Sequence, residues 1–376
     1  MQQNILPITR KEIEQHHGNA LDIVLITGDA YVDHPSFGTA VIGRILEHQG
    51  YRVGILAMPD WKDPASVTVF GKPRLFFGVT SGNVDSMIAR YTAFKRYRSD
   101  DPYTPGSKAG RKPERAVLVY CNLIKAAYKN VPIVIGGVEA SMRRVAHYDY
   151  WDNKVRRSII EDARADILVY GMGEKAIITI AERLAASKSL DGILGTVTLS
   201  KELPDGAKLL PAEEEVVASK EAFVEFYCLF FCHQHQRLAQ PTGKRYLVHN
   251  PPATISTAEL DAVYDLPYLR KPHPLYKEPI PAFEMIRNSV TAHRGCVSGC
   301  SFCSLSLHQG KQIVSRSPES VVREIEVIAN TPDFKGHITD IGGPSANMYG
   351  FDCDQNWNCS RESCTFPVLC LNLRIR

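Results

Sequence analysis

Apolar residues in the first half of the chain come in short runs separated by amphipathic stretches. Ile23 to Ile26 is an apolar run that ends in Thr27-Gly28-Asp29. From about Thr39 to His48, Val41, Ile42, Ile45 and Leu46 share one helical face, and Gly50 closes the helix. Arg52 to Ala57 and Arg74 to Gly78 read as further strands. Ile133 to Ile135 runs into Gly136-Gly137, and Asp166 to Tyr170 into Gly171-Met172-Gly173-Glu174 ahead of another helix. Apolar strands alternating with helices predict a parallel sheet covered on both faces. Residues 1–200 are therefore expected to form a doubly wound α/β domain.

Ser99 to Arg115, with three prolines, two glycines and many charges, reads as a mobile insertion on that domain. Leu203 to Glu215 reads as a linker to a helix over about Lys220 to Ala239, and the segment from Asn250 to Pro281 is rich in proline. Residues 201–281 are thus expected to be a helical and proline-rich connection. Beyond it, Met285 to Ala292 reads as a strand and Arg294-Gly295 as a turn. Ser317-Pro318 reads as a helix start with Ser at the N-cap and Pro in the first turn. Val321, Val322, Ile325 and Ile328 are the expected buried stripe of that helix. His337 to Ile341 is the next strand, ended by Gly342-Gly343-Pro344. This strand–loop–helix–strand unit over residues 282–376 matches the opening of a β/α barrel.

Cysteine placement gives this pattern its chemistry. Seven of the ten cysteines lie between Cys296 and Cys370. The N-terminus is polar and no apolar run approaches a membrane span, so the expected location is the cytoplasm. Clustered cysteines in a reducing compartment read as metal ligands or catalytic groups rather than disulfides. Cys296, Cys300 and Cys303 fall within eight residues, enough to bind one face of a cubane iron–sulfur cluster. Three thiolates leave one iron without a protein ligand, the open position that a catalytic metal site needs. A Cys3His zinc site completed by His308 is the alternative reading of the same loop.

Cys353, Cys359, Cys364 and Cys370 can hold a second cluster or a tetrahedral metal, or else be reduced cysteines in a disordered end. Cys228, Cys232 and His235 sit at i, i+4 and i+7, a metal-like trio, but their apolar neighbours favour a buried helix stripe. With 44 basic and 41 acidic residues the net charge is +3, which does not indicate a nucleic-acid surface. The aromatic and basic run His147 to Arg157 reads either as a contact to substrate or nucleic acid, or as a helix surface with packed aromatics. Gly28, Asp29, Asp33, His34, Gly136, Gly137, Gly171, Gly173 and Glu174 all lie just past strand ends, where doubly wound sheets bind ligands. No G-x-G-x-x-G follows the first strand, which weakens a dinucleotide reading.

The loop from His293 to Cys303, with Phe302 before the last cysteine, resembles the radical S-adenosylmethionine signature. Arg316-Ser317-Pro318-Glu319 and Gly342-Gly343-Pro344 resemble the landmarks that follow it in that superfamily. The segments Gly28 to Gly38, Ala146 to Trp151, Ile280 to Arg287 and Gly342 to Tyr349 narrow the likeness to the YgiQ-type radical S-adenosylmethionine proteins. The likeness implies a [4Fe–4S] cluster on Cys296, Cys300 and Cys303, with Gly342 and Gly343 against S-adenosylmethionine. It also implies an electron donor such as flavodoxin or ferredoxin, and a substrate that it does not name. Family members continue through further barrel strands, whereas this chain stops at Arg376, which implies a truncated barrel. The first domain further resembles cobalamin-binding domains. Those carry Asp-x-His-x-x-Gly, whereas here Asp33 and His34 are adjacent and Gly38 follows. The rivals to a radical enzyme are a non-catalytic iron–sulfur or zinc protein and an inactive fragment.

Overall fold

The computed structural model describes residues 4–18, 20–344, 346–357 and 359–375, so Ser345 and Arg376 of the segments above lie outside the described residues. A nine-stranded sheet organises the chain. Its strands are β1 (Ile23–Thr27), β2 (Val53–Ala57), β3 (Phe76–Thr80), β4 (Ile133–Ile135), β5 (Ile167–Val169), β6 (Thr196–Ser200), β7 (Lys208–Leu209), β8 (Leu238–Thr242) and β9 (Arg245–His249). Their spatial order is β7-β8-β9-β6-β5-β4-β3-β1-β2. The five strands β2-β1-β3-β4-β5 are mutually parallel, while β6, β9 and β8 extend the sheet in antiparallel fashion.

Strand β1 shows why the sheet needs cover on both sides. Alternate side chains leave opposite faces of a strand. Ile23 and Leu25 join one core with Val41, Ile45 and Leu46 of the helix Gly38–His48 and with Ile177 and Ile180 of the helix Glu174–Ala185. Val24 and Ile26 join a second core with Val117, Tyr120 and Ile124 of the helix Ala116–Ala127. All five β1 residues are buried, so the continuous apolar run is a fully sandwiched strand. No helix among the described residues is long and apolar enough to cross a membrane.

Several expectations need correction. The sheet does not end near residue 200, because the hairpin β8–β9 pairs onto β6 from within the expected connecting region. The helix that starts at Lys220 stops at His233, five residues before β8 begins. Its buried face is Phe226 and Phe230, and Cys228 and Cys232 point away exposed, so they are not core residues. Ser99 to Arg115 is anchored rather than loose: Asp101, Thr104 and Lys112 are buried, and the Lys112 ammonium lies 2.6 Å from the Asp29 carboxylate. Burial lowers the Lys112 pKa, but the neighbouring Asp29 charge outweighs this and raises it. The run from His147 is an antiparallel ribbon, His147–Asp149 with Lys154–Arg156, and not a helix surface.

Past residue 280, Met285 belongs to the helix Pro281–Ile286, which Pro281 starts, and the strand is only Ser289–Thr291. Ser317 does cap the helix Pro318–Ala329, accepting from the Ser320 amide at 3.1 Å. Val321 and Ile328 are buried on it and Ile325 packs beside them, whereas Val322 is 51% exposed because it sits off the i, i+4, i+7 row. The strand Asp340–Gly342 pairs in parallel with Ser289–Thr291.

Asp29 and Lys112 are each about 2% exposed at their side chains, so removing one leaves the other as a buried, unpaired charge. Lys112→Met should lower unfolding stability by about 3 kcal/mol or more. Urea unfolding followed by circular dichroism measures this, and a change below about 1 kcal/mol would mean the insertion is not held by that pair.

Candidate active site

The cysteine loop leaves one short ladder and returns to it. His293–Arg294 pairs with Val314–Ser315, and residues 295 to 313 run between them. Two glycines with positive φ bend the loop, Gly295 at +91° and Gly299 at +61°. A side chain at Gly295 would meet the Gln312 carbonyl at 2.0 Å, and one at Gly299 the Glu362 carbonyl at 2.7 Å. The loop is therefore pressed between its own return strand and the C-terminal tail. Cys296 is buried, Cys303 half-buried and Cys300 exposed, and the Cys303 amide donates to the Cys300 carbonyl at 3.0 Å. Phe302 is 91% exposed.

Two contacts bind this loop to the rim formed by the C-terminal ends of β4 and β5. Arg294 pairs with Glu174, the first residue of the helix after β5, and its guanidinium lies 5.3 Å from the Tyr264 ring centre. His308 Nδ1 lies 2.9 Å from Ser141 Oγ on the helix Gly137–Met142, which follows β4. His308 is thus engaged by the rim and not by the three cysteines. Burial pushes its pKa down to about 4, with the Arg144 and Arg294 charges adding to the effect. Beneath it Arg144 is buried, hydrogen-bonded to the Ser141 carbonyl at 2.6 Å and to His249 Nε2 at 3.2 Å. It stacks on Tyr170 and Phe230, and no carboxylate pairs with it among the described residues. Sequence reading missed Arg144, since an arginine between two short elements carries no local signal.

The other candidates separate. Gly342 meets nothing within 4 Å on its side-chain side, leaving room for a ligand. Gly343 lies against the His293 ring, where any side chain would sit 2.0 Å from Cε1, so close packing accounts for that glycine. Arg316 is fully buried, paired with Glu324 and bonded to the Thr291 carbonyl at 3.0 Å, and so ties the helix to the strand. Cys353, Cys364 and Cys370 are buried and Cys359 is half-buried, so the tail is folded and not a loose end. Cys364 donates its amide to the Val297 carbonyl at 2.9 Å, and Lys311 Nζ lies 3.4 Å from Cys359 Sγ. Burial raises the Cys364 thiol pKa, and the surrounding Cys359, Cys370 and Cys353 raise it further.

The three loop cysteines have the donor chemistry for a cluster. Among the described residues, however, no group of three or more His, Cys, Asp or Glu side chains is gathered closely enough to hold a metal ion.

At the switch point of the parallel strands, beside β1, the crevice is occupied by the chain itself. Asp29 accepts from the Asn83 amide and from Lys112, both at 2.6 Å. His34 is fully buried, with Nδ1 accepting from the Ser36 amide at 3.1 Å and the ring edge-on to Phe37 and Phe283. A histidine so enclosed does not fit as a cobalt ligand.

Comparison with known proteins gives a match over residues 5–289 to the family described as Radical SAM N-terminal. A UPF0313 protein of Methanocella arvoryzae is 49% identical over 97% of this chain and 63% of its own length. One of Geobacter sulfurreducens is 48% identical over 99% of this chain and 64% of its own length. UPF0313 proteins are the YgiQ-type family. The chain spans less than two thirds of the length of these relatives. Among solved structures, a radical S-adenosylmethionine methyltransferase, TsrM, of Kitasatospora setae aligns with 82% of this chain and 45% of its own, at 18% identity and a TM-score of 0.46. OxsB, a cobalamin-dependent S-adenosylmethionine radical enzyme, aligns with 83% of this chain and 32% of its own, at 12% identity and a TM-score of 0.40.

The His308 environment sets a pH dependence. Above pH 6.5 the ring is neutral folded or unfolded, so it contributes no slope. As pH falls from 6.5 toward 4, the unfolded chain binds a proton that the folded ring refuses, and stability falls. Wild type should lose more stability over this range than His308→Gln. Equal slopes in thermal melts of the two proteins would mean that the ring is freely solvated.

Proposed function

The chain belongs to the radical SAM N-terminal family, and on that premise we propose that it serves a radical S-adenosylmethionine enzyme. Cys296, Cys300 and Cys303 are the ligands of a [4Fe–4S] cluster. When bound, this group supplies the electron for reductive cleavage of S-adenosylmethionine to a 5′-deoxyadenosyl radical. The observation that carries the reading is the pairing of His308 with Ser141. It removes the fourth ligand of a Cys3His zinc site and leaves three thiols, a set with one iron open.

The chain's own residues then have separable tasks. The three thiolates hold the cluster on a loop bent by Gly295 and Gly299. Arg294 and His308 fix that loop on the rim of the sheet, where ligands of parallel sheets bind. Gly342, open on one side, leaves backbone accessible to the methionine end of S-adenosylmethionine. Exposed Cys300 and Phe302 mark the approach for an electron donor of the flavodoxin or ferredoxin type in the cytoplasm.

Residues 282–376 are read as the opening of a β/α barrel, after an α/β domain and a connecting region. The parallel pair Ser289–Thr291 and Asp340–Gly342, joined through the helix Pro318–Ala329, supports this. Cys353, Cys359, Cys364 and Cys370 are read as a second metal site, on the ground that a tail with so little apolar core is compact around buried thiols.

Anaerobic reconstitution with iron and sulfide, then EPR of the reduced protein with and without S-adenosylmethionine, tests the assignment. A [4Fe–4S]+ signal that shifts on adding S-adenosylmethionine is expected. Cys296→Ala, Cys300→Ala and Cys303→Ala should each abolish that signal while iron bound at the tail persists. Stoichiometric zinc, or full iron content in all three variants, would overturn it.

A further inference from the structure

Two ribbons leave the same rim of the sheet and interlock. The first is the turn from Arg90 to Arg98, closed by the bridge between Tyr91 and Tyr97. The second is the ribbon from His147 to Arg156. Its approach is held by Arg143, which pairs with Asp85 just past β3. The Tyr150 hydroxyl donates to the Ala93 carbonyl at 2.8 Å, and Lys95 Nζ donates to the Trp151 carbonyl at 3.1 Å. Tyr91 stacks on Tyr97 at 4.9 Å and packs against Trp151 at 5.1 Å. Residues distant in sequence thus form one aromatic platform.

What the platform exposes is unusual for a free surface. Phe94 is 87% exposed, Tyr97 68%, Tyr148 51% and Tyr150 48%. Large exposed rings in one patch mark a binding surface. The charges beside them are sorted. The nearby carboxylates are engaged: Glu114 with Arg90, Asp149 with Arg115, and Asp152 with Arg115 and Arg156. Lys95, Arg96 and Arg98 are exposed and pair with no carboxylate among the described residues. Lys95 already lies 4.6 Å from the Tyr150 ring centre, the arrangement of a cation–π contact.

We propose that this surface binds single-stranded RNA. Exposed ring faces accept unstacked bases, and unpaired cations among them follow a phosphate backbone. A duplex offers no free base faces and would meet only the charges. An acidic protein segment would meet the cations but leave the ring faces unused. The chain's net charge of +3 conceals the patch, because acidic residues elsewhere offset it. That the RNA is also the molecule acted on rests on the radical reading above; its binding does not.

The test therefore uses oxidised protein without S-adenosylmethionine. Fluorescence anisotropy with a short labelled single-stranded RNA of mixed sequence should show saturable binding that weakens with salt. Phe94→Ala with Tyr97→Ala should weaken it about tenfold or more with little change in salt slope. Lys95→Ala with Arg96→Ala should instead flatten the slope by about 1. All four positions are exposed, and unchanged melting temperatures would confirm that the variants fold. Absence of saturable binding, equal affinity for duplex DNA of the same length, displacement by polyglutamate at matched charge, or variants that bind like wild type would overturn the proposal. Loss of the cluster signal with RNA binding retained would strike only the radical reading.

Discussion

Arg294 reaches from the root of the cysteine loop to Glu174 at the start of the helix after β5, and both side chains are buried where they meet. An ion pair in such a place is not cheap to desolvate, and removing one partner of a buried pair typically costs about 3–5 kcal/mol. Its consequence is positional. The loop that carries Cys296, Cys300 and Cys303 cannot leave the sheet rim without exposing an uncompensated charge. Ser141 and His308 repeat the constraint one strand over. The site is thus composite, with its thiols on one structural unit and its floor on another. Tyr264, beside both Arg294 and Arg316, joins the middle of the chain to the same knot.

On the opposite side of the rim, a second buried pair has a different effect. Lys112 and Asp29 occupy the crevice beside β1 that parallel sheets of this order usually offer to a ligand. With that position filled and His34 enclosed by aromatic rings, open chemistry at the rim is confined to the side facing the cysteine loop. The interlocked ribbons at Tyr97 and Tyr150 belong to this same rim. Cluster loop, ordered insertion and aromatic platform therefore share one edge of one sheet. A macromolecule held there would be brought toward the loop and away from the covered faces.

Much of the fold was legible because burial leaves a periodic trace. Ile23 to Ile26, Val41 to Leu46 and Ile133 to Ile135 sit where a sandwiched parallel sheet requires them. The errors came where the periodic trace is weak or misleads. Gln240 and Thr242 are buried in the β8 strand, so that hairpin reads as polar connection until its neighbours are known. Charged Ser99 to Arg115 looks like solvent-exposed loop, yet Lys112 is buried because Asp29 offsets its charge. Cys228 and Cys232 share a helical spacing with each other, but Phe226 and Phe230 have the larger apolar area and take the core face.

The sequence by itself determined the alternation of strand and helix, the cap at Ser317, and the three-cysteine loop with its family likeness, since each depends on residues near one another in the chain. Tertiary structure decided which rim the loop rests on, that His308 faces Ser141, that Arg144 is buried without a carboxylate, and that two separate aromatic runs make one surface. Those are contacts between residues tens to more than a hundred positions apart. Local propensity carries no information about such pairs, because charge compensation and ring packing depend on distances that only the folded chain sets.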